Sequence, residues 1–344
     1  MKFLKLLFVA FILVFAGYKA DACSRVVYLG DKGFVLVGRT LDWRTPIPTN
    51  IYVYPRGLER TSMPDKPYLK WTSKYASVIA VGYDGGVTEG MNDEGLVMNG
   101  LFCKGTIYRE AVGGDTPVMS LAVIVSYFLD NFATVDEVET WLDTNDFAIF
   151  GKTFDGGTVS TLHWALTDAT GMTMIMEYTD GKLNTYKGRE LQVLTNDPTH
   201  PKMEVIEQYW NQVGGVNMLP GTVRSADRFV RASFFIKHVP TDFAYPQALG
   251  SLMSIMGTVS VPFGYEIVGE PNVSSTQWTS IADSTGGKYY FRQATSTGAL
   301  WIDLGRLVLT PGAPVLKLDM AKHGSATGCV NDLLEKSAPF TPMW

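Results

Sequence analysis

Cysteine is scarce in this chain: there are three in 344 residues, Cys23, Cys103 and Cys329, and an odd number cannot all pair within one chain. That excludes a small disulfide-built scaffold. Charge is scarce as well. Only 18% of residues are charged and the formal net charge is −5, so no basic surface predicts a nucleic-acid partner. The four histidines, His163, His200, His238 and His323, are scattered without metal-ligand spacing, which predicts no metal site. His163 lies in an apolar β-run and reads as a satisfied core residue. No stretch beyond the N-terminus approaches the roughly 18 apolar residues of a membrane span. Linkers rich in Pro and Ser, and internal repeats, are also missing.

The N-terminus does carry a signal. Lys2 and Lys5 precede the apolar run Leu6 to Phe15, and Ala20-Asp21-Ala22 has the small-x-small form of a cleavage site. Residues 1–22 are therefore predicted to be a signal peptide, removed on export. Residues 23–344 are predicted to form one periplasmic or secreted domain with no stable membrane insertion after cleavage. Export permits disulfides, so a Cys103–Cys329 bridge and three free thiols both remain open.

Along the chain, β-rich runs at Ser24 to Leu29 and Phe34 to Arg39 flank the hairpin turn Gly30-Asp31-Lys32-Gly33. Strands are expected at Ile51 to Tyr54, Ser77 to Tyr83 and Leu96 to Leu101. Dense turn signals fill Asp84 to Gly95. Helical spacing follows over Pro117 to Asp130. Thr134-Val135-Asp136-Glu137 is a capping box for a helix ending near Asp143. Strands return from Thr158 to Thr195, including a hairpin around Asp168-Ala169-Thr170-Gly171. Helices are expected over Met203 to Val213, Ser225 to Val239 and Phe243 to Met256. The end is again β: Gln277 to Asp283, Lys288 to Gln293, Ala299 to Asp303 and Val315 to Leu318. Hairpin blocks separated by helix pairs favour an α+β fold of packed antiparallel sheets with helices outside.

Cleavage before Cys23 would give that residue a thiol and a free α-amine. A thiol attacks as thiolate and ordinarily titrates near about 8.5, whereas an α-amine titrates at about 7.7–8.0 and can take its proton. Two other readings compete: a cysteine without a role, and a lipid-anchored exported binding protein. Arg39 and Asp42 lie on the returning hairpin strand, where the arginine would lower the thiol pKa and the carboxylate would hold the amine. A surface ion pair of little energetic value is the alternative for these two.

Cys23 followed by Gly38-Arg39-Thr40-Leu41-Asp42-Trp43 resembles the opening of the choloylglycine hydrolase family, the bile salt hydrolases and penicillin V acylases. Further segments match in order: Glu89-Gly90-Met91-Asn92-Asp93-Glu94-Gly95-Leu96, Thr161-Leu162-His163-Trp164 with Asp168, Val193 to Pro198, Ser225-Ala226-Asp227-Arg228-Phe229, and Thr276 to Ser280. The resemblance spans nearly all of residues 23–344. It implies the N-terminal-nucleophile (Ntn) hydrolase fold, a four-layer αββα sandwich, and hydrolysis of a small-molecule amide without metal or organic cofactor. It implies Cys23 as nucleophile, Asp42 as partner of its amine, Arg39 and Arg228 flanking the thiol, and Asn196 as an oxyanion donor. It also implies a homotetramer. At one position the chain departs from both branches: Phe102 stands where bile salt hydrolases carry Asn and some penicillin acylases Tyr, so only its backbone N–H can serve the oxyanion. Trp43 is like the Gram-negative branch, whose activities lean toward penicillin V and N-acyl homoserine lactones, with conjugated bile salts the alternative. Trp43 and Phe102 are expected to hold the apolar side of the substrate.

Overall fold

The computed structural model describes residues 23–64, 68–111, 116–151, 153–154, 158–265 and 274–344; the signal peptide expected over residues 1–22 lies outside them. The hairpin expected at the start forms as β1 (Cys23–Leu29) and β2 (Val35–Trp43). Its turn places Gly33 at φ 83°, a conformation that costs glycine little. The register pairs Cys23 with Leu41 and Arg25 with Arg39.

Side chains then alternate between two environments. Val27, Val35, Val37 and Leu41 face a second sheet, packing with Ile51, Val53, Val78 and Met91. Val26, Tyr28 and Leu36 face helices. The hairpin belongs to a seven-stranded sheet that also contains Ser275–Asp283 and Lys288–Gln293, and the facing sheet has nine strands. Helices α1 (Ile124–Asn131) and α2 (Val135–Thr144) close the outer face of the nine-stranded sheet. Helices α3 (His200–Val213), α4 (Ser225–His238) and α5 (Tyr245–Val259) close that of the other. The result is the αββα sandwich, with most strand pairs antiparallel. Thr134 caps α2 as its sequence predicts, accepting from the Glu137 N–H at 3.2 Å.

Two local expectations are corrected. The turn-dense segment after Asp84 contains a strand, Gly86–Asn92. Its Gly90 serves close packing: a Cβ there would lie 2.5 Å from the Val78 carbonyl oxygen and 2.9 Å from Leu129 of α1. The segment read as helix from Pro117 instead opens as a strand, Val118–Ser120, paired in parallel with Ala148–Phe150, and α1 begins only at Ile124. All three cysteines are free, so Cys103 and Cys329 form no bridge. Among the described residues no helix is long and apolar enough to cross a membrane, and no cluster of His, Cys, Asp or Glu is arranged to hold a metal.

Candidate active site

Cys23 opens β1 on the face that looks toward the second sheet, and it is 4% exposed. It forms part of the floor of an apolar cleft whose walls include Trp43, Ile47, Val87, Phe102, Leu121 and Leu162. The Trp43 and Phe102 rings meet edge to face with centroids 5.6 Å apart. The two residues expected to contact the substrate therefore form one aromatic wall.

The charged residues arrive by register. Arg39 sits two residues from the partner of Cys23, and its Nη2 lies 3.7 Å from the thiol sulfur while donating to the Gly100 carbonyl at 3.0 Å. Its guanidinium stacks over Trp278, 4.6 Å from the ring centroid. A one-residue bulge in Ser275–Asp283 makes this stack geometrically available. Thr276 pairs with Asp42, but Trp278 pairs with Leu41, which turns the indole into the space between the sheets. The same bulge leaves Thr276 free to donate its hydroxyl to Asp42 at 2.5 Å, while Thr40 donates at 3.2 Å.

Asn196 follows the short strand Val193–Leu194, which pairs with β1 through Arg25 and Val26. Continuing that register by two residues brings Asn196 opposite Cys23. Its Oδ1 accepts from the Cys23 nitrogen at 2.5 Å and from Arg228 Nη2 at 2.8 Å. Its Nδ2 donates to the Phe102 carbonyl at 2.7 Å, leaving a second N–H uncommitted by that bond. Arg228 reaches down from α4 and also donates to the Cys23 carbonyl at 2.6 Å and to Ser24 Oγ at 2.5 Å. The nitrogen of Cys23 thus bonds Asn196, whereas both Asp42 oxygens are held by threonine hydroxyls.

Cys103 N–H donates to the Thr161 carbonyl. Antiparallel alternation then turns the preceding N–H, that of Phe102, away from that strand.

Burial dominates the electrostatics. It raises the Cys23 thiol above its ordinary value, opposed chiefly by Arg39, reinforced by the Asp42 carboxylate and countered further by Arg228. Asp42 is pushed up to about 6 by burial, against the pull of Arg228 and the Thr276 hydroxyl. Burial likewise lowers Arg228, with Asp42 and Cys23 opposing.

The sequence reading missed what lies beneath Arg39. Register sets Arg25 directly opposite it, on the same buried face. The single carboxylate of Glu89 lies 3.5 Å from Arg39 Nε and accepts from Asn99 at 3.1 Å, while Asn99 accepts from Arg25 Nε at 2.8 Å. Ser280 and Tyr289 each donate to Glu89 at 2.5 Å. The signal was legible in the hairpin itself: two arginines facing each other inside a sandwich demand a carboxylate.

Of the residues named from sequence, Cys23, Arg39, Asp42, Asn196 and Arg228 converge around one sulfur, with Trp43 and Phe102 at its cleft. His163 is fully buried as expected of a core residue, bonding Glu177 at 2.9 Å. Residues 23–319 match the profile of the linear amide C–N hydrolases, choloylglycine hydrolase family. The penicillin V acylase of Pectobacterium atrosepticum is 36% identical over 343 residues, covering 93% of this chain and 91% of that one. The bile salt hydrolase/transferase of Clostridium perfringens is 27% identical, covering 83% of this chain and 93% of its own. The structure of penicillin V acylase from Agrobacterium tumefaciens superposes with a TM-score of 0.86 at 40% identity, over 93% of this chain and 99% of that one. A conjugated bile acid hydrolase from Clostridium perfringens shares the fold at a TM-score of 0.71 and 24% identity, over 85% and 95% of the two chains. The chain belongs to the choloylglycine hydrolase family of linear amide C–N hydrolases.

Proposed function

We propose that this amidase uses Cys23 as an N-terminal nucleophile and takes an acyl amide with an apolar or aromatic acyl group, such as penicillin V or an N-acyl homoserine lactone. One observation carries the reading: a buried thiol on the floor of an apolar cleft, with Arg39 Nη2 at 3.7 Å and the nitrogen of the same residue held by Asn196 at 2.5 Å. A cut between Ala22 and Cys23 would turn that nitrogen into an α-amine, and the family match begins at Cys23.

In the reaction the neutral α-amine takes the thiol proton and the sulfur attacks the amide carbonyl. The free Asn196 N–H and the Phe102 N–H receive the oxyanion. Collapse breaks the C–N bond, with the α-ammonium returning its proton to the departing amine. Water, deprotonated by the same amine, then cleaves the acyl thioester and frees the acid.

Cys23→Ser should lose turnover by about a thousandfold or more while keeping its fold. Unchanged turnover refutes the mechanism. Intact mass of the active protein should begin at an unmodified Cys23. A diacylglyceryl adduct there would establish the lipid-anchored alternative instead. A chain that retains residues 1–22 has no α-amine on Cys23 and should be silent, so turnover at the processed rate would remove the amine from the mechanism. Export to the periplasm or medium is checked by fractionating cells. The homotetramer is checked by light scattering, where a monomer would refute it.

The penicillin V acylases at 36% and 40% identity favour that substrate class over bile salts, whose hydrolase/transferase relative stands at 27%. Penicillin V, long-chain acyl homoserine lactones and conjugated bile salts assayed side by side decide the matter. Preference for a glyco- or tauro-conjugate would overturn the substrate assignment.

A further inference from the structure

The motif Thr276-Gln277-Trp278-Thr279-Ser280 has no task in the mechanism above, yet it runs alongside the end of β2 that carries Arg39 and Asp42. Thr276 pairs with Asp42, Trp278 with Leu41 and Ser280 with Arg39, so Gln277 is the extra residue of the bulge. Regular alternation would put side chains 276 and 278 on one face of the sheet. The bulge instead sets Thr276 on the side of Asp42 and Trp278 on the side of Leu41 and Arg39. The motif's side chains then meet different parts of the site. The Trp278 indole lies against the Arg39 guanidinium and fixes its own Nε1 on Thr49 at 3.1 Å. Gln277 Nε2 donates to the Trp43 carbonyl at 3.1 Å and to the Ser275 carbonyl at 3.2 Å, closing the bulge on itself. Thr276 donates its hydroxyl to Asp42 Oδ1 at 2.5 Å.

The direction of that last bond is set by a second one. Thr276 Oγ1 accepts from the Val261 N–H at 2.8 Å, and the Thr276 N–H donates to the Val261 carbonyl at 3.1 Å. Two bonds thus tie Thr276 to the chain just beyond α5, and the hydroxyl proton is left for the carboxylate. Thr40 repeats the arrangement on the other oxygen. Its Oγ1 accepts from the Ser24 N–H at 3.2 Å and donates to Asp42 Oδ2 at 3.2 Å. Both oxygens of a wholly buried carboxylate therefore receive protons from hydroxyls whose lone pairs face backbone N–H groups. Donors on both oxygens favour the ionised form. The charged and titratable groups around Asp42 are Arg228 from α4, Arg39 on β2 and the Cys23 thiol on β1. Burial raises Asp42, and Arg228 followed by the Thr276 bond opposes it most.

We propose that Thr276 is a positioning residue, delivered by the Gln277 bulge, that keeps the Asp42 carboxylate ionised and in place beside Cys23. This rests on the amidase reading above.

The test uses the processed protein with the best substrate from the side-by-side assay. Thr276→Val keeps the side-chain shape but takes a donor from the charged form of Asp42, so the acid limb of kcat/KM should move up by about one pH unit. Starting from about 6, that shift leaves about a tenth of Asp42 ionised at pH 6 where about a half was before. There kcat/KM should fall about fivefold, and the deficit should shrink as pH rises. Thr276→Ser retains the hydroxyl and should keep the wild-type profile. The Asp42 titration itself, followed by carbon NMR on carboxyl-labelled aspartate and assigned with Asp42→Asn, should move up with the acid limb. An unshifted titration in folded Thr276→Val overturns the proposal. So does a loss of turnover equal at all pH values, a serine variant that behaves like valine, or a Thr276→Val chain that does not fold, since each marks a role in the sheet rather than on the carboxylate. If Cys23→Ser retains turnover, the amidase mechanism has failed. The NMR titration reads the bond between Thr276 and Asp42 without turnover, so the two failures are told apart.

Discussion

Replacing Asn196 by Ala probes the point where most of the site's hydrogen bonds meet. The side chain accepts from the Cys23 nitrogen and Arg228 and donates to the Phe102 carbonyl. Loss of an oxyanion donor costs about 10²–10³ in kcat, or about 2.7–4 kcal/mol. Stability should fall separately, because buried Arg228 loses one acceptor; an unsatisfied buried polar group costs about 1–3 kcal/mol. Asn196→Asp separates the two effects. It restores acceptors for Arg228 and the Cys23 nitrogen, yet it supplies no donor and sets an oxygen against the Phe102 carbonyl. Its kcat should be as low as that of the alanine variant. The assay is steady-state amide hydrolysis, with Cys23 alkylation as a check on the nucleophile and denaturant unfolding for stability. A kcat within about tenfold of wild type in the alanine variant would refute the oxyanion role.

Other perturbations address the cleft, the fold and the pH response. A Cβ on Gly86, which lines the cleft, would meet only Ala122 Cα at 3.8 Å; Gly86→Ala should raise KM for bulky acyl groups several-fold while unfolding like wild type. Gly90→Ala forces a methyl against the Val78 carbonyl and Leu129 and should cost about 1–3 kcal/mol in chemical denaturation. Asp42, raised by burial to about 6, takes up a proton as pH falls through that value, so kcat/KM should drop on the acid side with an inflection near 6 that Asp42→Asn removes. The fold binds this proton more tightly than the unfolded chain does, so the group favours folding at acid pH and that contribution is lost as pH rises through about 6.

Elements whose periodicity and termination signals agree were legible in the sequence. The β1–β2 turn is marked by glycines, and α2 by the Thr134 cap. The strand Gly86–Asn92 was not, because its Gly90 answers to a carbonyl and a helix on neighbouring elements rather than to local turn chemistry. Val118–Ser120 was read as helix because its partner strand comes some thirty residues later. At the site, Cys23, Arg39 and Asp42 could be brought together by hairpin register alone. Asn196 and Arg228 could not: one depends on a contact between residues 173 positions apart, the other on how α4 sits across β1. Only the resemblance to a known family carried them. Thr276 was quoted as part of a motif, but its grip on Asp42 depends on a bulge that sequence does not announce.

Under the proposed mechanism, the electrostatic layout explains why a base belongs on Cys23 itself. Burial raises the thiol, and although Arg39 opposes that effect most, the net direction stays upward. The arginine cannot give its full charge to the sulfur because Glu89 lies 3.5 Å from its Nε. Glu89 is itself required: without it, Arg25 and Arg39 would face each other unneutralised between two sheets, and Arg25 is already lowered by burial to about 9 despite the Glu89 charge. The sandwich thus needs a carboxylate that weakens the field on the thiol, so a standing thiolate is disfavoured. A proton acceptor that arrives at Cys23 without another buried side chain meets that constraint. The atom already bonded to Asn196 would become such an acceptor under the proposed cut before Cys23.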